Sequence, residues 1–275
     1  MNISRVLLRT IIIALGKMGL IHRFFSIGTR IAKFILPEER TIEVGKYRMI
    51  INPKEDLGLY FGYEGVEPEV VHALKRLLKR GDTFFDVGAY KGYYSLMTSE
   101  LVGESGKVVA FEPDRKAFDC LLKNIKINKI SNIIAKNIAL SDFEGRSGFV
   151  KAGTIGHLGD SDQVVEVKSL DSVVNDLKII PDVIKMDVEG VEYSVLRGGE
   201  SVLKHYHPKL IIEVHTNANF QFFEYLTNLG YNIGLLNETE VLWMNLEEIK
   251  RKCLDRQTTK YGTKMNRHIY CEVKE

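Results

Sequence analysis

The residues most able to do chemistry stand where an apolar stretch runs into a glycine turn. Residues 83–95 predict a strand, a turn and the start of a helix, with Asp86 in the strand and Gly88 and Gly92 in the turn. An open α/β sheet binds nucleotide-like ligands at such a turn, and glycine enters the left-handed backbone region without a steric cost. A carboxylate beside the turn repels a pyrophosphate but suits an ammonium or a hydroxyl group. The combination favours S-adenosylmethionine, which carries an amino acid and a ribose but no phosphate.

Two further strand ends have polar residues that suit the rest of such a ligand. Glu112 follows Gly92 by 20 residues and ends an apolar stretch. An acidic residue at the tip of a second strand can accept hydrogen bonds from both ribose hydroxyls. NAD would suit the same acid, but its turn requires G-x-G-x-x-G, which this turn lacks. Ser141 and Asp142 end the third predicted strand, where they could bind the adenine amino group or form a local turn.

The fourth and fifth predicted strands also end in charged residues. Lys185, Asp187 and Glu189 alternate with apolar residues where a central strand should be almost wholly apolar, and buried charge is costly unless it is paired. Lys185 and Asp187 lie on one side of a strand and could form an ion pair. His215 follows the apolar stretch 209–214 and could be a general base. The candidate bases are, in order, His215, Glu189 and Asp187; structural ion pairs and a helix-capping carboxylate are the alternatives.

These positions require a sheet whose strands end at one edge. Strands and helices alternate from residue 83, which predicts an α/β fold with a seven-stranded, mostly parallel sheet, helices on both faces and an antiparallel last pair. The predicted strands are 83–88, 107–112, 132–138, 183–187, 209–214, 231–236 and 268–273. The predicted helices are 69–80, 92–102, 115–128, 170–177, 191–204 and 218–229. The glycine-rich insert 143–168 predicts an extra hairpin or a lid over the site.

The N-terminal part predicts a helical and hairpin extension over residues 1–60, ahead of the main domain over residues 61–275. Residues 1–36 mix basic and large apolar side chains without an acidic residue, and residues 41–51 predict a short hairpin. The helical part could pack on the domain, pack on a second subunit of a homo-oligomer, or lie on an anionic membrane surface. Charged residues interrupt its apolar run too often to predict a transmembrane helix.

Composition excludes some classes of protein. The chain has 38 basic and 36 acidic residues, a net charge of +2, which argues against nucleic acid as a partner. Its three cysteines show no paired spacing. The sequence therefore predicts neither a disulfide framework nor a zinc site, and it favours the cytoplasm, with the inner face of the membrane as an alternative location.

Five motifs, taken in order, resemble those of the FkbM family of methyltransferases. They lie at residues 82–95, 111–113, 137–142, 169–171 and 184–192, within a resemblance that covers roughly residues 60–215. The resemblance implies a class I S-adenosylmethionine-dependent methyltransferase fold. It also implies methylation of hydroxyl oxygens, commonly on sugars or polyketides.

The resemblance implies roles for single residues as well. The methionine and ribose end of the cofactor is assigned to Asp86, Gly88, Ala89, Tyr90 and Gly92. The ribose is assigned to Glu112, the adenine to Ser141 and Asp142, and the methionine or the acceptor to Asp187 and Glu189. The family often has histidine where this chain has Val191, so interest shifts to His215 and Glu189 as bases.

The expected activity is transfer of a methyl group from S-adenosylmethionine to a hydroxyl oxygen, with a sugar of a glycan or glycolipid as acceptor and without a metal ion. Two alternatives stay open. In the first, Asp187 and a neighbouring acid hold Mg²⁺ in a metal-assisted O-methyltransferase that acts on a small molecule. In the second, the protein is a non-catalytic cofactor-binding scaffold that contacts a membrane through residues 1–36.

Overall fold

The structure is a computed structural model that describes residues 36–56, 59–60, 67–152, 155–159, 161, 163–215, 217–255, 257–258, 264–265 and 267–273. The predicted helical segment 1–36 lies outside these ranges except for its last residue, so its packing and membrane contact stay predictions. None of the helices within the described ranges is long and apolar enough to cross a membrane.

One large sheet organises the domain. Its eight strands run in the order β13-β12-β16-β11-β10-β3-β4-β5. Their bounds are β3 (Thr83–Val87), β4 (Lys107–Phe111), β5 (Ile133–Lys136), β10 (Val183–Met186), β11 (Lys209–Val214), β12 (Tyr231–Leu236), β13 (Val241–Trp243) and β16 (Arg267–Val273). Strands β5, β4, β3, β10 and β11 are parallel to one another. Strand β16 is antiparallel to both of its neighbours, β11 and β12.

The predicted mostly parallel sheet is confirmed, with one addition. All seven predicted strands are present, and β12 and β16 form the predicted antiparallel pair. The eighth strand, β13, pairs antiparallel with β12 at the edge of the sheet. Its three residues are too few for the alternation of side chains that marks a longer strand in a sequence.

Two hydrophobic cores cover the two faces of the sheet. The helices are α1 (Pro68–Leu77), α2 (Tyr93–Val102), α3 (Arg115–Ile127), α4 (Leu170–Leu177), α5 (Glu192–Arg197), α6 (Glu200–Tyr206), α7 (Gln221–Asn228) and α8 (Leu246–Leu254). Side chains of α1, α2 and α3 pack on the face that contains Phe84. Those of α4 to α8 pack on the face that contains Phe85. Neighbouring residues of a strand point to opposite faces, so each strand contributes to both cores.

One predicted helix is divided. The sequence predicts a helix over 191–204, but Gly198 and Gly199 separate α5 from α6. A Cβ atom on Gly198 would lie 2.0 Å from the carbonyl oxygen of Ser141. The close approach of these two backbones therefore requires glycine. Helix α8, which begins at the side-chain cap of Asn245, is not predicted by the sequence.

The predicted hairpins are both present. The N-terminal hairpin of β1 (Arg40–Val44) and β2 (Tyr47–Ile51) packs into the same core as α2 and α3, and Asn124 of α3 bonds the backbone of Ile50. In the insert, β7 (Gly145–Ala152) and β8 (Ile155–Leu158) form an antiparallel hairpin. With β6 (Ile138–Leu140) and β9 (Val164–Lys168) they build a four-stranded sheet in the order β6-β9-β7-β8.

Candidate active site

The glycine turn after β3 brings two strand ends into close contact. Gly88 has φ +82°, and a Cβ atom there would lie 1.9 Å from the carbonyl oxygen of Asp187 after β10. Gly92, with φ +92°, is the N-cap of α2. Tyr90 also lies in the left-handed region, with φ +49°, which is uncommon for a bulky residue. The turn is therefore shaped by backbone conformations that few residue types adopt.

Glu112 holds this turn from the end of β4. Its Oε2 accepts a hydrogen bond of 2.7 Å from the backbone N–H of Tyr90, and its Oε1 accepts one of 2.7 Å from the N–H of Asp114. Charge-assisted bonds of this kind are stronger than neutral ones. Glu112 therefore ties the turn after β3 to the end of β4.

A cavity lies between this turn, the end of β10 and the inserted hairpin. It is lined by Val87, Gly88, Tyr90, Phe111, Glu112, Pro113, Asp114, Ile138, Ala139, Leu140, Phe149, Gly156, Leu158, Asp187, Val188, Glu189 and Val191. Of the predicted site residues, Gly88, Tyr90, Glu112, Asp187 and Glu189 line the cavity. The residues of the insert that line it, Phe149, Gly156 and Leu158, are not predicted as site residues by the sequence.

Asp86 lies behind the cavity, with no exposed surface. Its Oδ2 accepts a hydrogen bond of 2.5 Å from the Ser95 hydroxyl, whereas Oδ1 has no hydrogen-bond partner among the described residues. Burial raises the pKa of Asp86. An unpaired buried carboxylate oxygen beside the turn suits an ammonium group, so the predicted methionine contact stays a prediction that this geometry can accommodate.

The other predicted cofactor residues lie outside the cavity lining. Ala89 and Gly92 belong to the turn but do not line the cavity. Ser141 and Asp142 face the break between α5 and α6, where Asp142 Oδ2 lies 3.6 Å from Arg197 Nε. Their predicted adenine contact stays a prediction. The part of the cavity lining that precedes them in the chain consists of apolar residues of β6.

His215 is the centre of a buried group of charges. Its Nδ1 lies 2.8 Å from Glu192 Oε1 and its Nε2 lies 3.1 Å from Glu189 Oε2. Its Nε2 is also 3.6 Å from Asp187 Oδ1 and 3.7 Å from Glu213 Oε1. His215 does not itself line the cavity. Glu192 and Glu213, which the sequence does not predict as site residues, complete its surroundings.

The predicted pairing of Lys185 with Asp187 is confirmed. Lys185 Nζ lies 3.3 Å from Asp187 Oδ2. Burial and the Glu213 and Glu67 carboxylates nevertheless outweigh Lys185 and raise the pKa of Asp187 to about 7. Burial lowers the pKa of His215, but hydrogen bonds to Glu189 and Glu192 outweigh it and raise that pKa to about 11. Near neutral pH, His215 therefore carries its proton, whereas Asp187 can exchange one.

A second histidine extends the buried charges beyond the cavity. His268 of β16 is paired in register with Glu213 of β11, and its Nδ1 lies 3.1 Å from Glu69 Oε1. Its Nε2 lies 3.7 Å from Glu67 Oε2 and 3.8 Å from Glu213 Oε2. Sequence reasoning missed this group. The sequence signal that could have found it is His268, an ionisable residue in the stretch 268–273 that is predicted to be a buried strand.

The sheet order, with an antiparallel strand inserted beside β11, and the turn closed by Glu112 define a class I S-adenosylmethionine-dependent methyltransferase. The cavity beside Gly88, with the carboxylate of Glu112 in its lining, fits that cofactor. A model of the methyltransferase FkbM domain matches residues 86–247, more than half of the chain, and the chain belongs to this family.

Individual relatives cover parts of the chain. A ribosomal protein L11 methyltransferase of Bacillus subtilis is 32% identical over 38% of this chain and 34% of its own. The hexuronic acid methyltransferase AglP of Haloferax volcanii is 27% identical over 56% of this chain and 64% of its own. This chain thus spans between a third and two thirds of these relatives. The crystal structure of a methyltransferase FkbM from Methylobacillus flagellatus matches 79% of this chain and 53% of its own, with a TM-score of 0.49 and 18% identity.

Proposed function

We propose that this methyltransferase transfers the methyl group of S-adenosylmethionine to a hydroxyl oxygen of a sugar, in a glycan or glycolipid. The observation that carries the proposal is the pair of carboxylates, Asp187 and Glu189, at the end of β10. Both line the cavity next to the glycine turn, with side chains 27% and 28% exposed. A sugar hydroxyl needs hydrogen-bond acceptors to orient it, and carboxylates are strong ones. The similarity to a hexuronic acid methyltransferase supports a sugar acceptor.

The two carboxylates have different neighbours, which suggests different tasks. Glu189 accepts a hydrogen bond from the charged His215 and is fixed by it. Asp187 lies between Lys185 and His215, and its pKa of about 7 matches that of an efficient general base at neutral pH. We therefore assign proton acceptance to Asp187 and orientation of the acceptor to Glu189, with His215 as a positioning residue.

The reaction also requires that the acceptor oxygen and the methyl group are aligned. The sulfonium of the bound cofactor supplies an electrophilic methyl group, so the protein chiefly has to hold the acceptor oxygen in line with it. Holding reactants in a productive geometry can account for a large part of a rate enhancement. The hairpin of β7 and β8 contributes Phe149 and Leu158 to the lining, so part of the wall around the acceptor is apolar.

Two measurements test the proposal. Calorimetry with S-adenosylhomocysteine measures cofactor binding, and transfer of labelled methyl groups is then followed on neutral sugars, uronic acids and lipid-linked glycans. We expect label in an alkali-stable ether of a sugar. Label in an alkali-labile ester would assign the reaction to a carboxyl group, and label only in a ribosomal protein would contradict a sugar acceptor.

A matched pair of variants ties the activity to the cavity. Asp187→Asn should lower the rate of transfer by about 10²–10⁴-fold while cofactor binding persists. Asp176→Asn, on the exposed end of α4, removes an aspartate that pairs with Lys168 at the surface and should leave transfer unchanged.

A further inference from the structure

The buried charges at the end of β11 and β16 are unbalanced. Six carboxylates belong to the group: Glu67, Glu69, Asp187, Glu189, Glu192 and Glu213. Among the described residues, three cationic side chains face them, Lys185, His215 and His268. Even with all three charged, the carboxylates remain in excess. Buried charge of one sign is costly, so a cation bound beside these carboxylates would be stabilised by them.

Both histidines are oriented in the way that metal-binding histidines are. A ligating histidine commonly donates its second ring N–H to a carboxylate, which fixes the ring and its tautomer. Glu192 is fully buried and lies 2.8 Å from His215 Nδ1. Glu69 lies 3.1 Å from His268 Nδ1. In each case the opposite nitrogen, Nε2, points towards the carboxylate of Glu213.

The two histidines differ in what their Nε2 atoms meet. His215 Nε2 is within hydrogen-bond distance of Glu189, at 3.1 Å. His268 is 1% exposed, and its Nε2 has no hydrogen-bond partner among the described residues. This buried nitrogen points between Glu67 Oε2 and Glu213 Oε2, at 3.7 and 3.8 Å.

The distances from His268 Nε2 to the two carboxylate oxygens match those between atoms that bind the same metal ion. Atoms about 2.2 Å from a common metal ion, at angles of about 110–120°, lie about 3.6–3.8 Å apart. The Glu67, Glu213 and His268 ligand atoms all fall within 4.8 Å of one another. Two carboxylates and one imidazole favour Zn²⁺, or Mn²⁺ as a harder ion that also accepts nitrogen ligands, over Ca²⁺, which prefers oxygen ligands alone.

We propose that Glu67, Glu213 and His268 bind a divalent transition-metal ion at the junction of α1, β11 and β16, with Glu69 as the carboxylate that orients His268. Glu213 links this site to the candidate active site, since its other oxygen faces His215. The ion would fix Glu213 and, through it, His215. Glu67, in the left-handed region with φ +48° at the N-cap of α1, is the ligand that ties this helix to the sheet.

Metal binding by the full-length chain tests the proposal directly. The protein is stripped with EDTA, and Mn²⁺ binding is followed by electron paramagnetic resonance and Zn²⁺ binding by calorimetry. We expect one tightly bound equivalent. Glu69→Gln should weaken binding by about 10–100-fold, as the loss of an orienting carboxylate does elsewhere, and His268→Gln should weaken it further. His72→Gln is the control, because His72 is an exposed histidine in the same helix.

Two outcomes would overturn the site. The first is wild-type protein that binds neither metal saturably, which would leave a proton on His268 as the occupant. The second is binding that survives His268→Gln but is lost in Asp187→Asn, which would place the ion with Asp187, Glu213 and His215 instead. Should His268→Gln fail to fold by circular dichroism, Glu67→Gln replaces it. None of these readouts uses methyl transfer, so the acceptor proposal can fail without affecting this one.

Discussion

The two halves of the cavity edge are built by different means. The half that we assign to the cofactor, here called the cofactor half, lies at the ends of β3 and β4. It is shaped by glycine conformations and by backbone N–H groups that bond one carboxylate, Glu112. The charged half, at the ends of β10, β11 and β16, is held together chiefly by contacts between side chains. Its members come from as far apart as Glu69 and His268, which are 199 residues apart in the chain.

This difference separates binding from chemistry. A backbone-built site has a fixed shape and few side chains that can be exchanged. The charged half holds groups whose proton affinities depend on one another, which is the arrangement that acid–base catalysis uses. Mutations in the cofactor half should therefore change affinity for the cofactor, whereas mutations in the charged half should change the rate.

Asp187→Asn should have the largest effect. The amide keeps the shape of the carboxylate but cannot accept the acceptor's proton, and loss of a general base typically costs about 10²–10⁴ in rate. We expect kcat to fall within that range and the Kd of S-adenosylhomocysteine to change by no more than a few-fold. An equal loss in cofactor affinity would instead place Asp187 in the cofactor half, as a methionine contact.

Gly88→Ala tests the cofactor half at its tightest point. A methyl group there would lie 1.9 Å from the Asp187 carbonyl oxygen, on a backbone with φ +82°, so β3 and β10 must separate. We expect the Kd of S-adenosylhomocysteine to rise by about 100-fold, equivalent to about 2.7 kcal/mol, with a lowered Tm.

Gly230→Ala is the matched control for this variant. Gly230 has a similar φ of +89° but no atom within 4 Å of the added Cβ. It should cost about 1 kcal/mol of stability and leave cofactor affinity unchanged. Equal effects of the two variants would show that backbone strain, rather than the contact with Asp187, matters at Gly88.

The cofactor half was predictable from sequence because its residues lie close together in the chain. The turn with Gly88 and the acid Glu112 lie close together in the chain, and a parallel strand pair brings them into contact without any further knowledge of the fold. The same holds for Lys185 and Asp187, which are two residues apart on one strand. For these positions, residue type and spacing determine the neighbours.

The charged half was not predictable in the same way. Glu213 meets His268 only because β16 inserts antiparallel between β11 and β12, in a register that no local pattern specifies. Ser141 and Asp142 illustrate the opposite problem. The sequence predicts them at the end of the third strand of the main sheet, but they follow β6 of the four-stranded sheet and do not line the cavity. Packing between distant segments decided both outcomes.

Glu112→Gln should have a smaller effect than Gly88→Ala, since the turn keeps its glycines. The carboxylate accepts two backbone hydrogen bonds of 2.7 Å, and an amide can accept only one of them. A buried donor left unsatisfied costs about 1–3 kcal/mol, so we expect a 10–100-fold rise in the Kd of S-adenosylhomocysteine, measured by calorimetry. A pure loss of kcat at unchanged affinity would contradict the assignment of Glu112 to the cofactor half.

The pH dependence of kcat and of cofactor affinity should also distinguish the two halves, through the gain or loss of one proton on Asp187. Burial and nearby carboxylates raise the pKa of Asp187 from 3.8 to about 7, so below that pH the group holds its proton and cannot accept another. In protein stripped of metal ions, where Glu67 and Glu213 keep their charge, we expect kcat to fall about tenfold per pH unit below 7. The Kd of S-adenosylhomocysteine should stay constant between pH 6 and 8. The folded state holds this proton more tightly than the unfolded chain. Its contribution to stability is therefore present at low pH and is lost as the pH rises through about 7. Asp187→Asn should remove the step in both the residual rate and the stability profile, and a step that persists in this variant would assign the titration to another group.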